Sequence, residues 1–155
     1  MTGTFFGHRD TPQWVEPLLQ AALKELIENR KVTSFYVGNQ GAFDRMARRT
    51  LKRLKGEYPL LECEVVLAYI PVKRLELEDE YGFETICPEG IENTPPRYAI
   101  AKRNRWMLDR SDYVLTYVKY TSGNAARLKE MAERRGKEVL NLADWPRPSV
   151  PPILS

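Results

Sequence analysis

Short apolar segments alternate with longer amphipathic segments along the whole chain. The apolar segments are rich in β-branched and aromatic residues and predict strands, which we place at residues 3–7, 32–37, 63–70, 112–118 and 137–142. Between them, apolar residues recur every three or four positions and predict helices at 11–30, 41–56, 97–111 and 123–135. This alternation is the pattern of an α/β protein. We therefore expect a Rossmann-like three-layer fold with a mostly parallel sheet of about five strands in the order 3-2-1-4-5.

The composition is that of one ordinary globular domain spanning residues 1–155. The net charge is only +3, and basic residues are interleaved with acidic ones, which makes nucleic acid an improbable partner. No apolar run is long enough to span a membrane, and the amino terminus has no signal-peptide pattern. Cys63 and Cys87 lie far apart, as expected for reduced thiols in a cytoplasmic protein.

Two segments interrupt the regular alternation. Residues 71–96 contain four prolines and the acidic run "ELEDEYGFE", which predicts a long loop that is either a lid over a site or a solvated insertion. Residues 145–155 are rich in proline and predict an extended tail.

Three polar loops follow strands that the predicted order brings together. They read "GHRDT" (7–11), "GNQGAFD" (38–44) and "KYTSGNAA" (119–126). The carboxyl ends of parallel strands meet at one edge of the sheet, and ligands bind there at the point where the strand order reverses. We therefore expect a ligand site built from these loops.

The loop residues have the chemistry of an anion site. Gly38 and Gly41 would let the backbone and the amino-terminal end of the next helix approach a phosphate, and Asp44 would cap that helix or accept a ribose hydroxyl. Arg9 would neutralise an anion. The other candidate ligand-binding residues of the three loops are Gly7, His8, Asn39, Gln40, Thr121, Ser122, Gly123 and Asn124. His8 is the only histidine, so a centre with several histidines is excluded and we predict no metal site.

The helix at 97–111 carries two further candidates. Asn104 falls within the apolar stripe of this helix, and a buried amide needs hydrogen-bond partners. Arg103 borders the same stripe. We therefore predict that both side chains reach a loop backbone or a ligand.

Four stretches resemble the SLOG superfamily, the DprA/SMF and "lonely guy" group, and within it the small stand-alone YpsA-like branch. They are "FFGHRD" (5–10), "VGNQGAFDRMA" (37–47), "AIAKRNRWMLDRSDYVLTYV" (99–118) and "TSGNAARLKEMAERRGKEVLNL" (121–142). The second resembles the branch's glycine-rich G-G-A-x-G-x-D turn, and the fourth aligns with the P-G-G-x-G-T-x-x-E motif.

The resemblance implies a nucleotide-related function. Arg103 and Glu130 match the arginine and glutamate with which the lonely-guy enzymes cleave the N-glycosidic bond of a nucleoside monophosphate, and Gly123 matches the first motif glycine. Ser122, Asn124, Ala126 and Arg127 replace a proline, two glycines and a threonine of the motif. These replacements fill the phosphate-binding turn and disfavour hydrolase activity.

We consequently expect the binding or sensing of a nucleotide or ADP-ribose-like ligand, with a regulatory role and no required cofactor. One alternative is a nucleotide N-glycosidase that uses Glu130 and Arg103 as catalytic residues. Another is an interaction scaffold without a ligand. The resemblance also implies a homodimer or a higher homo-oligomer.

Overall fold

The computed structural model describes residues 1–147 and has a six-stranded sheet covered by helices. The strands are β1 (Thr2–Gly7), β2 (Ser34–Val37), β3 (Glu62–Val66), β4 (Glu84–Ile86), β5 (Tyr113–Tyr117) and β6 (Glu138–Asn141). The helices are α1 (Glu16–Asn29), α2 (Gly41–Glu57), α3 (Arg74–Tyr81), α4 (Pro96–Asp109) and α5 (Asn124–Arg134). Most of the predicted proline-rich tail lies outside the described residues.

All paired strands run parallel, and the order across the sheet is β4-β3-β2-β1-β5-β6. The predicted Rossmann-like α/β fold is confirmed, and the five predicted strands have the predicted relative order. The number of strands was wrong, because β4 adds a sixth strand at the edge beside β3. The order reverses between β1 and β5, which places the switch point there.

The segment 71–96, which the sequence predicts as a long loop, contains α3, β4 and a short 3₁₀ helix at Ile91–Asn93. The apolar pattern missed α3 because this helix has no fully buried residue, and it missed β4 because three residues are too few to show a period. The side chains of Arg74 and Glu78 on α3 bond to the backbone oxygen and N–H of Thr85 in β4. These contacts cover part of the sheet edge.

The two faces of the central strand β1 belong to separate parts of the core. Phe5 packs on one face against residues from α1 and α2, including Phe43. Phe6 packs on the other face against α4 and α5, with Met107 and Leu128 among its neighbours. The carboxyl end of β1 therefore lies between helices of both layers. Within residues 1–147, none of the helices has the length and apolar character needed to cross a membrane.

Candidate functional site

A cavity of about 290 Å³ lies at the carboxyl end of β1, beside the switch point. Its walls come from the end of β1, the first turn of α2, the middle of α4 and the first turns of α5. The predicted site residues that line it are Gly7, His8, Arg9, Gln40, Asp44, Arg103, Asn104 and Asn124. The remaining lining residues are Phe5, Phe6, Ile100, Ala125 and Leu128. The cavity therefore has both polar and apolar walls.

Three buried polar side chains form one side of the cavity, and we call Asp44, Arg103 and Asn104 the polar cluster. Arg103 is only 2% exposed. Its Nε donates to Asn104 Oδ1 at 2.9 Å, and its Nη1 donates to the carbonyl oxygen of Val66 at 3.1 Å. The Oδ2 atom of Asp44 accepts from the backbone N–H of Gln40 at 2.9 Å. Each side chain is thus held by neighbouring protein groups at one end.

One atom of each side chain in the polar cluster is left without a protein partner. Within residues 1–147, no hydrogen bond reaches Arg103 Nη2, Asn104 Nδ2 or Asp44 Oδ1. Among these residues, Thr50 Oγ1 is the one side-chain polar atom that is both sealed from solvent and unpartnered. The three free atoms of the polar cluster are therefore not sealed from solvent, and the residues that carry them line the cavity. They offer two donors and one acceptor to a ligand.

The charges of the polar cluster are incompletely compensated. Burial raises the pKa of Asp44, while Arg103, the Gln40 N–H and Arg48 act in the opposite direction. Burial also lowers the pKa of Arg103, and Asp44 partly offsets this effect. The two side chains make no direct ion pair among the contacts of the described chain, although both lie against Gly38. A guanidinium with no direct counter-ion favours an anionic or electron-rich group in the cavity.

Gly38 and Gly41 do not lie on the cavity wall, which differs from the role predicted for them. A Cβ atom on Gly38 would lie 2.6 Å from Asp44 Oδ2 and 2.8 Å from Arg103 Nη1. Gly41 has a φ of +88°, and a Cβ atom there would lie 2.8 Å from the Cα of Arg9. The N–H of Ala42 donates to the Arg9 carbonyl at 2.8 Å. Both glycines therefore make room for the protein's own groups, and the Arg9 backbone covers the amino-terminal end of α2.

The amino-terminal end of α5 is open instead. Gly123 has a φ of +102°, and no atom lies within 4 Å of the position of an added Cβ. No side chain caps this helix, and the backbone N–H groups of Asn124, Ala125 and Ala126 have no partner within residues 1–147. Thr121 and Ser122 are exposed and do not line the cavity. The free N–H groups and the positive end of the helix dipole favour an anion at this end of the cavity, which Arg9 also lines.

His8 joins the loops after β1 and β5. Its Nε2 accepts a hydrogen bond from the backbone N–H of Lys119 at 2.9 Å. Its ring packs against Tyr120 at 4.8 Å and meets the edge of Tyr117 at 6.0 Å between centroids. His8 therefore ties the loop after β1, which lines the cavity, to the loop after β5, and its Nε2 already has a partner.

Glu130 and Arg103, the predicted catalytic pair, are not brought together. The Glu130 side chain is 61% exposed and pairs with Arg134 one turn further along α5. Glu130 does not line the cavity, whereas Ala125 and Leu128 of the same helix do. Asp44 is the carboxylate that faces the cavity.

Some contributors to the site are absent from the predicted set or act indirectly. Ile100 and Leu128 form apolar walls of the cavity. Their place on the inner faces of α4 and α5 is the sequence signal that could have identified them. Asn39 does not line the cavity, yet its Oδ1 accepts from Arg103 Nη1 at 3.4 Å. In the described part of the chain, no group of three or more histidine, cysteine or carboxylate side chains is arranged to hold a metal ion.

No protein-family model and no curated protein sequence matches this chain. Among solved structures, the chain is similar to DNA processing protein A (DprA) from Streptococcus pneumoniae, with a TM-score of 0.62 and 16% sequence identity. The similarity covers 89% of this chain and 48% of DprA, so the chain spans about half the length of that protein. DprA belongs to the group that the four sequence stretches resemble. The likeness supports a SLOG-like fold and concerns the fold alone.

Proposed function

We propose that the cavity binds a nucleotide or a nucleotide-derived ligand and that the protein acts as a sensor or regulator of the YpsA-like type. The observation that carries this proposal is the buried guanidinium of Arg103, a residue that lines the cavity and whose Nη2 has no protein partner within residues 1–147. Burying a guanidinium is costly unless its donors are used. A ligand with electron-rich oxygen or nitrogen atoms would satisfy them.

The two ends of the cavity suit different parts of such a ligand. A phosphate would bind at the open end of α5, where the N–H groups of Asn124 and Ala125 are supported by Arg9. A ribose hydroxyl would donate to Asp44 Oδ1, while Arg103 and Asn104 would donate to acceptors on the sugar or the base. This arrangement uses every free atom of the polar cluster.

The apolar walls and the volume limit the size of the enclosed part. Phe6, Ile100 and Leu128 offer a surface against which a base can pack. The volume of about 290 Å³ lies at the lower end of the range for small-molecule pockets, roughly 300–1,000 Å³. We therefore expect one nucleoside phosphate unit inside the cavity, with the rest of an ADP-ribose-like ligand extending through the mouth.

Thermal unfolding with AMP, ATP, NAD and ADP-ribose, followed by mass spectrometry of each mixture, tests the proposal. A ligand that binds the folded state raises the unfolding midpoint, and at 100 times its dissociation constant it stabilises the protein by about 2.7 kcal/mol. We expect a shift with at least one compound, which is recovered intact. The absence of a shift with all four would contradict nucleotide binding.

A matched pair of variants assigns the shift to the cavity. Asp44→Ala removes a carboxylate that faces the cavity and is expected to weaken binding about ten-fold or more, since a hydrogen bond to a charged group contributes about 1.5–3 kcal/mol. Asp144→Ala makes the same change at an exposed position away from the cavity, in the 3₁₀ helix at Leu142–Asp144, and is expected to leave binding unchanged. Equal binding by both variants would place the ligand elsewhere.

Glu130→Gln separates binding from glycosidase activity. Because Glu130 is exposed and paired with Arg134, we expect this variant to bind nucleotide like the unmodified protein and the unmodified protein to release no base. Base release that disappears in Glu130→Gln would instead support the N-glycosidase alternative. That result would require α5 to turn in the complex.

A further inference from the structure

The polar cluster is connected to α3 through the amide of Asn39. The Oδ1 atom of Asn39 accepts from Arg103 Nη1 at 3.4 Å, and its Nδ2 donates to the hydroxyl of Tyr81 at 3.3 Å. Tyr81 is the last residue of α3. A continuous chain of side chains therefore leads from the cavity to a helix that does not line it.

A second connection runs beside the first. The guanidinium of Arg48 lies over the ring of Tyr81, with its carbon 4.5 Å from the ring centroid. Its Nη1 atom donates to the carbonyl oxygen of Gly38 at 2.8 Å. Gly38 is the residue against which Asp44 and Arg103 pack. Tyr81 is thus linked to the polar cluster both through Asn39 and through Arg48.

The attachment of α3 depends on few contacts. None of its residues is fully buried, and its apolar contacts with the core are those of the partly buried Leu77 and Tyr81. At its first residue and near its middle, Arg74 and Glu78 bond to Thr85 in β4. At its carboxyl end, the contacts are those of Tyr81. Segments with few buried contacts open at low free energy, and they respond to small changes in contact energy.

We propose that Asn39 and Tyr81 are positioning residues that couple the attachment of α3 to the orientation of Arg103 in the cavity. This inference rests on the proposed function and adds a mode of regulation to it. A ligand that fixes Arg103 strengthens the contact between Asn39 and Tyr81 and thereby holds α3 in place. By linkage, the factor by which the ligand favours the attached state of α3 is also the factor by which detachment of α3, for example on loss of the Tyr81 contact, weakens ligand binding. An effector or partner that displaces α3 would lower the affinity of the site without touching it.

The coupling is first tested without a ligand, by hydrogen exchange of the amides in α3. Arg103→Lys removes the guanidinium that Asn39 contacts and is expected to accelerate exchange across residues 74–82. Asn39→Ala removes the connection at a half-buried position and is expected to do the same even if Arg103→Lys folds poorly. In the double variant the two effects are expected not to add. Unchanged exchange of α3 in Asn39→Ala, or additive effects in the double variant, would overturn the proposal.

The second test uses AMP as the probe. Tyr81→Phe keeps the ring under Arg48 but removes the hydroxyl, and we expect it to lower the affinity for AMP about two- to ten-fold, the range of one hydrogen bond. Tyr98→Phe is the matched control, because Tyr98 also lies beside an arginine, is 53% exposed, and its hydroxyl has no partner within residues 1–147. AMP is expected to slow the exchange of α3 in the unmodified protein and not in Asn39→Ala.

The outcomes separate the two proposals. Binding of AMP with equal affinity to Tyr81→Phe and Tyr98→Phe would overturn the coupling and leave nucleotide binding intact. A failure of AMP to bind would count against the proposed ligand, and the exchange of α3 in the ligand-free variants would still decide whether α3 and Arg103 are coupled.

Discussion

Gly38→Ala is the substitution that most directly tests how the polar cluster is built. The added Cβ would lie 2.6 Å from Asp44 Oδ2 and 2.8 Å from Arg103 Nη1, closer than real side chains approach. Neither neighbour is free to retreat, because Asp44 is bonded to Gln40 and Arg103 to Val66 and Asn104. Overpacking costs about 1–3 kcal/mol, and loss of a hydrogen bond from a charged group costs about 1.5–3 kcal/mol.

A smaller opposing effect comes from the unfolded chain, which alanine restricts relative to glycine. This effect stabilises by about 0.4–1 kcal/mol where the native backbone suits alanine, and Gly38 has no positive φ. We therefore expect Gly38→Ala to lower the free energy of unfolding by about 2–5 kcal/mol. We also expect it to abolish the nucleotide-induced shift, because Arg103 and Asp44 are displaced.

Urea unfolding measures the stability, and the nucleotide-induced shift measures the site. Gly56→Ala is the control, since Gly56 lies in α2 with no atom within 4 Å of an added Cβ. Alanine is the better helix former there, and we expect a gain of about 0.5–1 kcal/mol. If Gly38→Ala matched the stability and ligand binding of the unmodified protein, the close packing of the polar cluster over Gly38 would be refuted.

Two substitutions of buried threonines are expected to change the free energy of unfolding in opposite directions. Thr50→Val removes a sealed hydroxyl that has no partner and should raise the free energy of unfolding by about 1 kcal/mol. Thr116→Val removes a hydroxyl that donates to Asn141 and should lower the free energy of unfolding by a similar amount. A lower free energy of unfolding in Thr50→Val would contradict this reasoning. Burial raises the pKa of Asp44 above its usual 3.8. Between the pKa in the unfolded chain and the higher pKa in the folded protein, Asp44 keeps its proton when folded and loses it when unfolded. The free energy of unfolding therefore falls as the pH rises through this interval. The unfolding free energy of Asp44→Asn minus that of the unmodified protein should accordingly increase from about pH 4 upward, and a flat difference in urea titrations would argue against a raised pKa.

The fold was predictable wherever the burial of one face or of both faces of an element left a regular pattern of apolar residues in the sequence. The runs that became β1 and β5 are apolar because helices cover both faces of the sheet, and α2 shows a regular stripe because one of its sides is buried. The segment of α3 and β4 was not predictable in this way. Its apolar contacts with the core are few, and its polar contacts, such as those of Arg74 with Thr85, leave no periodic signal.

The site was predictable as a location and less so in its details. Parallel topology alone brings the loops that carry Arg9, Asp44 and Asn124 to one edge. What each glycine faces depends on tertiary packing, and that is why Gly38 and Gly41 were assigned to a ligand when they accommodate side chains and backbone of the protein. Asn104 was identifiable because a polar residue inside an apolar stripe must find a partner.

The same packing supports our proposal that the ligand brings electron-rich groups into the cavity. Gly38 lets Asp44 and Arg103 approach one backbone position, and within residues 1–147 the two side chains make no direct ion pair. The carboxylate and the guanidinium therefore each keep a free atom for the cavity, and the folded protein bears the cost of burying both. A ligand that brings an electron-rich acceptor to Arg103 and a hydroxyl to Asp44 would offset both costs at once. A cation would oppose Arg103, and an uncharged apolar molecule would leave every free atom of the polar cluster unsatisfied.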